Sequence, residues 1–547
     1  MVHEKKISPL RHGTRYRAHR LNGPYDAIVI GSGVGGLTTA ACLARMGQKV
    51  LVLEQHYSAG GFNQCFERHG YAWDVGVHCV GEVGHPSSLA HKVSHFISEG
   101  RLHWAALHEN YDTFIINDES FGLIAGSQGF IDSVSRHFPA ERAAITAYVE
   151  LICQAAELVR QQHLADLMPW PISTCLKHKS QKHPLLHKTT YAVLRELTDN
   201  EKLIAVLTGQ WGDLGVPPQE SAFVMHAQVA KHYLNGGYYP VGGSASIAGS
   251  IIPTIENAGG DVFTYAKVEK ILVSGNSAVG VEMADGQCIY APKIISNAGI
   301  FNTLKKLLAA DVVLPALYHS QLKGPRPAMG NMSLYIGLNK DARSLHLPKT
   351  NYWIYPNEHF QQNVEKFRNN ASEEFPLVYI SFPSAKDPLW HEKHPGCATI
   401  EMTVPVPLSW FERWQDKPWA HQEDEFVAFK AGFSKRLIEL LLKRMPHLAE
   451  HIDYYELSTP LCQQGDNAMT DTQHLVQTES RSVMAQLPLK NLYLTGQDMP
   501  AAGIVGSMLA GVRCASQAGG FSQMKMLRSI IPALKKNPKN ILSVVAG

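Results

Sequence analysis

The sequence predicts an α/β fold: a Rossmann-like nucleotide-binding domain combined with a discontinuous substrate domain of mixed α+β structure. Three observations support this prediction. A strand, a glycine-rich turn, a helix and a second strand follow one another between Tyr25 and Glu54. The 547 residues exceed what one ordinary core accommodates, so at least two domains are expected. A composition of 45% hydrophobic and 18% charged residues is typical of folded globular proteins.

Composition also narrows the class of partner and the compartment. The formal net charge is only +2, and no basic run with interleaved aromatic residues occurs, so no nucleic-acid partner is expected. The nine cysteines include no C-x-x-C pair, which argues against a disulfide framework or a zinc site and favours a reducing, cytoplasmic location. The first twenty residues lack the apolar core of a signal peptide. The chain is therefore expected to be soluble.

The two ends of the chain qualify that expectation. Residues 1–21 form a basic arm, and residues 521–547 combine basic residues with Ile, Leu and Val in a helix-like tail. Either end is suited to peripheral contact with an anionic membrane surface. The favoured alternative is a solvated arm and a packed terminal helix.

The first nucleotide-binding feature is the stretch IVIGSGVGG, Ile28–Gly36. Gly31 permits a tight turn, Gly33 lets backbone amides approach a phosphate, and Gly36 lets the helix pack closely on the strand. The helix predicted over 36–47 points its unpaired amides at the pyrophosphate. Because the motif stands between two buried strands, it predicts dinucleotide binding.

Two features after the second strand favour FAD as the dinucleotide. Glu54 closes the strand, where a carboxylate can hold ribose hydroxyls. Gly60 and Gly61 then lie in an extended loop, at a point where a nicotinamide dehydrogenase would enter its next helix. An FAD enzyme instead often wraps such a loop around its longer cofactor.

A family resemblance begins in the same region, with the stretches GSGVGGLTTAACLARMGQKVLVLEQH, AGG and WDVGVHCVG. They resemble the phytoene desaturase-like flavoproteins, and within them the all-trans-retinol 13,14-reductase (retinol saturase) branch. Further stretches that resemble this branch are SAFVMHA (221–227), HYLNGGYYPVGGSASI (232–247), SNAGIFNT (296–303), FPSAKDPLW (382–390) and NLYLTGQDMPAAGIVGSMLAG (491–511). Because they are spread from the first strand to the last helix, the resemblance covers nearly the whole chain.

The resemblance implies how an FAD site of the glutathione reductase/amine oxidase type is assembled. Val268 is expected to present its backbone to the adenine, and the TGQD stretch to lie beside the pyrophosphate and the ribityl chain. The GIVGSM stretch is expected to start a helix at the flavin ring. The predicted cofactor-binding residues are Gly31, Ser32, Gly33, Val34, Gly35, Gly36, Glu54, Gln55, Gly60, Gly61, Val268, Asn297, Gly496, Asp498, Gly503, Ile504 and Ser507.

The same resemblance implies two interleaved domains. The FAD-binding domain is predicted to comprise residues 22–85, 236–310 and 455–520. The substrate-binding domain is predicted to comprise residues 86–235 and 311–454.

The predicted chemistry is hydride transfer between the flavin and a C=C bond of a long apolar polyene, isoprenoid or retinoid-like lipid. No second GxGxxG follows a strand, so electrons are expected to come from, or go to, an external donor or acceptor.

The candidates for moving the accompanying proton are His78 and Lys386, with His226 and Tyr239 as weaker ones. The alternative for His78 is a hydrogen bond near the FAD phosphates, and for Lys386 a salt bridge with Asp387 or a place in a surface turn. No metal site is predicted, because the polar cluster of His178, His183 and His187 has no carboxylate or cysteine at ligand spacing.

Four functions share this template. The branch-specific stretches favour a saturase, in the manner of a retinol reductase, over a phytoene-type desaturase or a carotenoid cis–trans isomerase. A prenyl-lipid-binding protein of the GDP-dissociation-inhibitor type is the non-catalytic alternative. The glycines of the turn, Glu54 and the TGQD stretch argue against it, because such proteins do not keep a working FAD site.

Overall fold

A computed structural model gives the fold of residues 11–165, 183–309, 312, 329–414, 424–461, 489–498, 503–520 and 523–530. The strands within these residues are β1 (Thr14–Arg15), β2 (Ala27–Ile30), β3 (Val50–Leu53), β4 (Cys65–Arg68), β5 (Tyr71–Asp74), β6 (Val80–Gly81), β7 (Trp104–Ala106), β8 (Asn110–Ile116), β9 (Glu119–Ile124), β10 (Gly237–Pro240), β11 (Asp261–Thr264), β12 (Val268–Ser274), β13 (Ser277–Met283), β14 (Cys288–Tyr290), β15 (Ile294–Ser296), β16 (Met329–Leu338), β17 (Asn351–Tyr355), β18 (Val378–Ser381), β19 (Ala398–Pro407), β20 (Ile452–Ser458) and β21 (Leu492–Leu494).

The α-helices within the same residues are α1 (Val34–Arg45), α2 (Leu89–Ser98), α3 (Ser127–His137), α4 (Arg142–Ala165), α5 (Thr190–Arg195), α6 (Glu201–Thr208), α7 (Phe223–Tyr233), α8 (Ala245–Glu256), α9 (Phe360–Asn369), α10 (Pro383–Lys386), α11 (Trp390–Lys393), α12 (Asp424–Arg444), α13 (Gly503–Ala518) and α14 (Gln523–Ile530).

A six-stranded parallel sheet forms the nucleotide-binding half, in the order β1-β11-β3-β2-β15-β21. Every residue of β2 and β3 is buried, as expected for parallel strands that are covered on both faces. Helices α1, α2, α8 and α13 share the core on one face. The small sheet β12-β13-β14 packs on the other. The predicted strand–turn–helix–strand unit is present, with its boundaries shifted by one or two residues.

The N-terminal arm contributes to this sheet from residue 11 onward. Thr14 and Arg15 pair in parallel with Phe263 and Thr264 as an edge strand. The guanidinium of Arg15 lies over the Tyr265 ring at 4.7 Å. These residues are therefore packed and not a free solvated tail, whereas the predicted domain boundaries stay predictions.

A seven-stranded sheet forms the second half, in the order β20-β16-β19-β18-β17-β8-β9. All its neighbours are antiparallel except β17 and β8. Because side chains alternate between the two faces of a strand, the sheet divides its apolar residues into two cores. One core includes helices α3 to α7 and Phe114, Trp353 and Tyr379 of the sheet. The other includes α9, α12 and Ile115, Ile354 and Ile380.

Candidate active site

The glycine turn after β2 has the geometry that its sequence predicts. Gly31 has φ +94°, a left-handed conformation that favours glycine, and Gly33 is the N-cap of α1. A Cβ on Gly36 would collide with the Gly31 carbonyl oxygen. Val34 and Gly35 begin the helix, so the first unpaired amides of α1 face the turn.

Asn297 joins this turn to the late TGQD stretch. It follows β15, and its backbone amide donates to the Ile30 carbonyl at 2.8 Å. A Cβ on Gly33 would lie 2.8 Å from Asn297 Nδ2, and one on Gly35 would lie 2.6 Å from Gly496 Cα. Gly496 itself has φ +100°. The fold therefore brings together three glycine positions and an amide that are far apart in the sequence.

Glu54 lies at the end of β3, beside the turn. Its Oε2 accepts hydrogen bonds from the amide and the hydroxyl of Ser32, at 2.9 and 2.6 Å. Its Oε1 accepts one from the His56 amide at 2.9 Å. The carboxylate is thus held in a fixed orientation by the protein. The neighbouring Gln55 is exposed.

The Gly60–Gly61 loop packs directly on the glycine turn. The Gly60 amide donates to Ser32 Oγ at 3.1 Å, and a Cβ on Gly61 would lie 2.9 Å from Gly33 Cα. Both loop residues have positive φ. Only glycine therefore fits where the loop crosses the turn.

The other predicted cofactor residues flank this centre. Val268 begins β12 and is buried, just after the Ala266 amide donates to the Glu54 carbonyl at 2.7 Å. Asp498 Oδ2 accepts from the Ile300 amide at 2.5 Å. Gly503 and Ile504 lie at the start of α13, and Ser507 is buried one turn later.

Helix α13 crosses α1 at close range. A Cβ on Gly511 would lie 2.8 Å from the Gly35 carbonyl oxygen and 2.6 Å from Thr38 Cβ. Thr39 Oγ1 donates to the Gly35 carbonyl at 2.8 Å. The N-terminal turns of α1 are thereby tied to α13.

A row of polar residues crosses the seven-stranded sheet, on the face that carries Phe114, Trp353 and Tyr379. Its members, from β16 to β8, are Tyr335, Glu401, Ser381, Asn351 and Asp112. In the strand register Tyr335 pairs with Glu401, Glu401 with Ser381, and Asn351 with Asp112. All five are buried. We call this set the polar row.

Lys386 lies on the polar row, with 1% of its surface exposed. Its ammonium donates to the His78 carbonyl oxygen at 2.9 Å, to Ser381 Oγ at 2.7 Å and to Asn351 Oδ1. An ammonium has three donors, and these three acceptors use all of them. Burial lowers the pKa of Lys386, while nearby acidic groups oppose that shift. Neither a surface turn nor a salt bridge with Asp387 describes this lysine.

His78 approaches the polar row from the other half of the molecule. Its Nδ1 lies 3.5 Å from Glu401 Oε2, and its ring is 5.0 Å from the Tyr379 ring. Burial, together with the Lys386 charge, lowers the pKa of His78 to about 3. Burial, followed by the nearby Asp74 carboxylate, raises the pKa of Glu401. At neutral pH the imidazole is therefore neutral, and burial favours the protonated form of the Glu401 carboxyl group.

Asp112 closes the far end of the polar row. Its two oxygens accept from Asn351 Nδ2 and Gln210 Nε2, both at 2.8 Å. Burial raises the pKa of Asp112 to about 6, although these hydrogen bonds oppose the shift.

The two weaker candidates have structural partners. His226 is buried in the helical core, 2.9 Å from the Tyr148 hydroxyl. Tyr239 is buried and donates its hydroxyl proton to Asp74. Of the three clustered histidines, His178 lies outside the described residues, whereas His183 accepts from the Leu185 amide at 3.4 Å.

Sequence reasoning missed Glu401, Asn351, Ser381 and Asp112. They lie one to a strand on β17, β18, β19 and the distant β8, so no single motif contains them. The one available signal was a polar residue inside an otherwise apolar strand, as in ATIEMTVPVP. Within the described residues, no helix is long and apolar enough to cross a bilayer.

Comparisons with known proteins agree with this architecture. Residues 29–94 match a family model described as an NAD(P)-binding Rossmann-like domain. Cyclohexylamine oxidase from Brevibacterium oxydans IH-35A has the same fold, with a TM-score of 0.54, 16% identity, and coverage of 92% of this chain and 100% of that one.

Sequence relatives cover almost the entire chain. Human all-trans-retinol 13,14-reductase is 35% identical, over 95% of this chain and 90% of its own. A zebrafish relative described as an inactive all-trans-retinol 13,14-reductase is 30% identical over 94% and 88%. The chloroplastic prolycopene isomerase of Arabidopsis thaliana is 26% identical over 80% and 71%. From the first of these similarities it follows that the chain belongs to the all-trans-retinol 13,14-reductase family of phytoene desaturase-like oxidoreductases.

Proposed function

We propose that this protein is an FAD-dependent oxidoreductase that saturates one C=C bond of an all-trans-retinoid or a related polyene lipid. The observation that carries the proposal is the 35% identity, across 95% of the chain, to a protein named for that reaction. The arrangement of the glycine turn and the polar row is compatible with it.

The residues present fit FAD. A Cβ on Gly33 would meet Asn297 Nδ2 at 2.8 Å and one on Gly61 would meet Gly33 Cα at 2.9 Å, so only glycine lets the loop and Asn297 approach the turn this closely beside the start of α1. The amides at the start of α1 suit a pyrophosphate, and the oriented Glu54 carboxylate suits a ribose. Val268, Asp498 and the start of α13 would hold the rest. The chemistry that FAD supplies when bound and reduced is hydride donation.

His78 is the proposed proton donor, and Lys386 positions it. His78 keeps 28% of its side chain exposed, whereas its Nδ1 is buried. The exposed part therefore lies among the ring atoms that include Nε2. Lys386 donates three hydrogen bonds to protein acceptors, one of which is the His78 carbonyl. It fixes the segment that carries the imidazole.

The partners follow from this chemistry. The substrate is a lipophilic small molecule, and an external reductant supplies the electrons. The basic and apolar ends of the chain would bring the protein to a membrane surface, where such a substrate dissolves.

The test is an anaerobic product assay. Protein loaded with FAD is reduced, mixed with all-trans-retinol, and its products are identified by mass. We expect a gain of two hydrogens. Unchanged mass with altered retention would instead identify an isomerase, and a loss of two hydrogens from the oxidised protein would identify a desaturase. No flavin retention and no conversion at all would place the protein with its inactive relative.

A further inference from the structure

We propose that Glu401 is a positioning residue that stores a proton and passes it through the His78 imidazole to the substrate. The inference rests on the proposed function, in which His78 is the proton donor. Its basis is the juxtaposition of Glu401 Oε2 and His78 Nδ1 at 3.5 Å. The two residues come from opposite halves of the molecule, so the pair forms only in the folded chain.

One carboxyl oxygen of Glu401 is buried without a hydrogen bond in the described part of the chain. The residue is 1% exposed, and its Oε2 has no hydrogen-bond partner among the residues that the structure describes. Lys386 is nearby, but its three hydrogen bonds go to other acceptors. A buried carboxyl oxygen without a partner destabilises the folded state, so its presence calls for an explanation.

The neighbouring His78 Nδ1 is the partner that explains the buried Glu401 oxygen. It is also buried and without a hydrogen bond among the described residues. A separation of 3.5 Å is longer than an ordinary O–H···N bond, but catalytic hydrogen bonds often shorten when substrate binds. A carboxylic acid that donates to Nδ1 leaves the imidazole proton on Nε2, on the exposed side of the ring.

The charges around the pair favour this protonation pattern. Asp74 repels a negative charge on Glu401, and Lys386 repels a positive charge on His78. Lys386 also attracts a carboxylate at Glu401, which opposes the first effect. Burial also disfavours a negative charge on Glu401 and a positive charge on His78. In the proposal the pair is a neutral acid beside a neutral base.

Two protons move in the proposed step. As one carbon of the double bond gains hydride, its neighbour takes the proton from His78 Nε2, so that a C–H bond forms and the N–H bond breaks. His78 Nδ1 at the same time takes the proton of Glu401, which becomes a carboxylate. The ring ends as the other neutral tautomer, and no imidazolate forms. After product leaves, Nε2 takes a proton from solvent on the exposed side of the ring and Nδ1 returns its proton to Glu401, which restores both starting forms.

The test compares Glu401→Gln with Glu456→Gln. The glutamine at 401 still donates to Nδ1 but has no proton to transfer. Glu456 lies on the edge strand β20, outside the polar row, where it accepts from the Tyr454 hydroxyl at 2.9 Å. In anaerobic single turnover we expect Glu401→Gln to be slower by about 100-fold or more, because general acids contribute on that scale. Glu456→Gln should stay within about twofold of the wild type.

A double-variant cycle separates a relay from two independent effects. If Glu401 acts through His78, His78→Gln alone and His78→Gln combined with Glu401→Gln should be equally slow. Losses that multiply would overturn the relay. Equal rates for Glu401→Gln and the wild type would also overturn it, without touching the proposed function.

An infrared readout needs no turnover. The wild type at pH 7 should show the carbonyl stretch of a protonated carboxylic acid, shifted in D₂O, that Glu401→Gln loses and Glu456→Gln keeps. Absence of that wild-type band would overturn the proposal even if the activities agreed with it. Failure of the wild type to reduce any polyene would overturn the proposed function and, with it, the relay.

Discussion

Asn297 is the residue on which the glycine turn and the TGQD stretch converge. Its side chain fills the space that Gly33, Gly35 and Gly496 leave open. The glycines of IVIGSGVGG leave space because they carry no side chain. Part of that space admits the side-chain amide of Asn297, which follows a strand much later in the chain. A substitution at the turn therefore acts on two partners, the cofactor and Asn297.

Gly33→Val tests whether a substitution at the glycine turn affects cofactor binding. Its Cβ would lie 2.8 Å from Asn297 Nδ2, and its methyl groups would enter the space beside the helix N-terminus. We expect the purified variant to lose the flavin absorbance while keeping its circular dichroism. The matched control is Gly432→Val, because a Cβ there meets nothing within 4 Å. Stoichiometric FAD on Gly33→Val would show that the site is elsewhere.

Helices α4 and α7 show how an element depends on one buried polar pair. The Tyr148 hydroxyl donates to the Leu207 carbonyl at 2.9 Å, so the Tyr148 oxygen accepts from His226 Nε2. The pair joins α4, α6 and α7 in one core. Burial lowers the pKa of His226 to about 4, because a charged imidazole has no counter-charge there.

This pair predicts an acid-sensitive helical core. The unfolded chain binds a proton at His226 near pH 6.5, whereas the folded chain binds it only near pH 4. Its contribution to the free energy of unfolding is therefore complete above pH 6.5 and falls as the pH drops toward 4, by about 3 kcal/mol over the whole window.

We expect His226→Gln, which can still donate to Tyr148 but does not titrate in this range, to lose less stability between pH 7 and pH 5 than the wild type. The difference should be about 2 kcal/mol in urea unfolding. The control is His108→Gln at an exposed histidine. Parallel pH profiles for wild type and His226→Gln would contradict the prediction.

At the scale of the whole molecule, one sheet is assembled from distant parts of the chain. Strands β2 and β3 come from the N-terminal region, β11 and β15 from the middle, and β21 from near the C-terminus. The predicted FAD site touches each of these parts. A ligand bound there holds them together, so its binding energy adds to the stability of the entire fold.

FAD should therefore raise the Tm of the wild-type protein in a thermal shift assay. At a free concentration of 100 times Kd the gain is about 2.7 kcal/mol. Riboflavin is the control ligand, because it lacks the pyrophosphate and the adenosine that the glycine turn and Glu54 would hold. An equal shift with riboflavin, or none with FAD, would contradict the proposed site.

The sequence alone determined the glycine turn and its two flanking strands, because these lie in contiguous residues. A strand, a glycine turn and a helix specify their own local geometry, and Gly31 needs only its own backbone to adopt a positive φ. The sequence also indicated His78 and Lys386. It did not indicate that Lys386 is buried with all three donors used, because its acceptors come from three other segments.

Only the tertiary structure decided the polar row and its pairing with His78. Glu401, Ser381, Asn351 and Asp112 become neighbours through the register of antiparallel and parallel strands, which a single polar residue per strand cannot specify. Their protonation states follow from burial and from charges brought close by folding, such as Lys386 and Asp74. The nucleotide-binding motif was thus encoded locally, whereas the proposed arrangement for handling a proton exists only in the folded molecule, because it depends on long-range distance and desolvation.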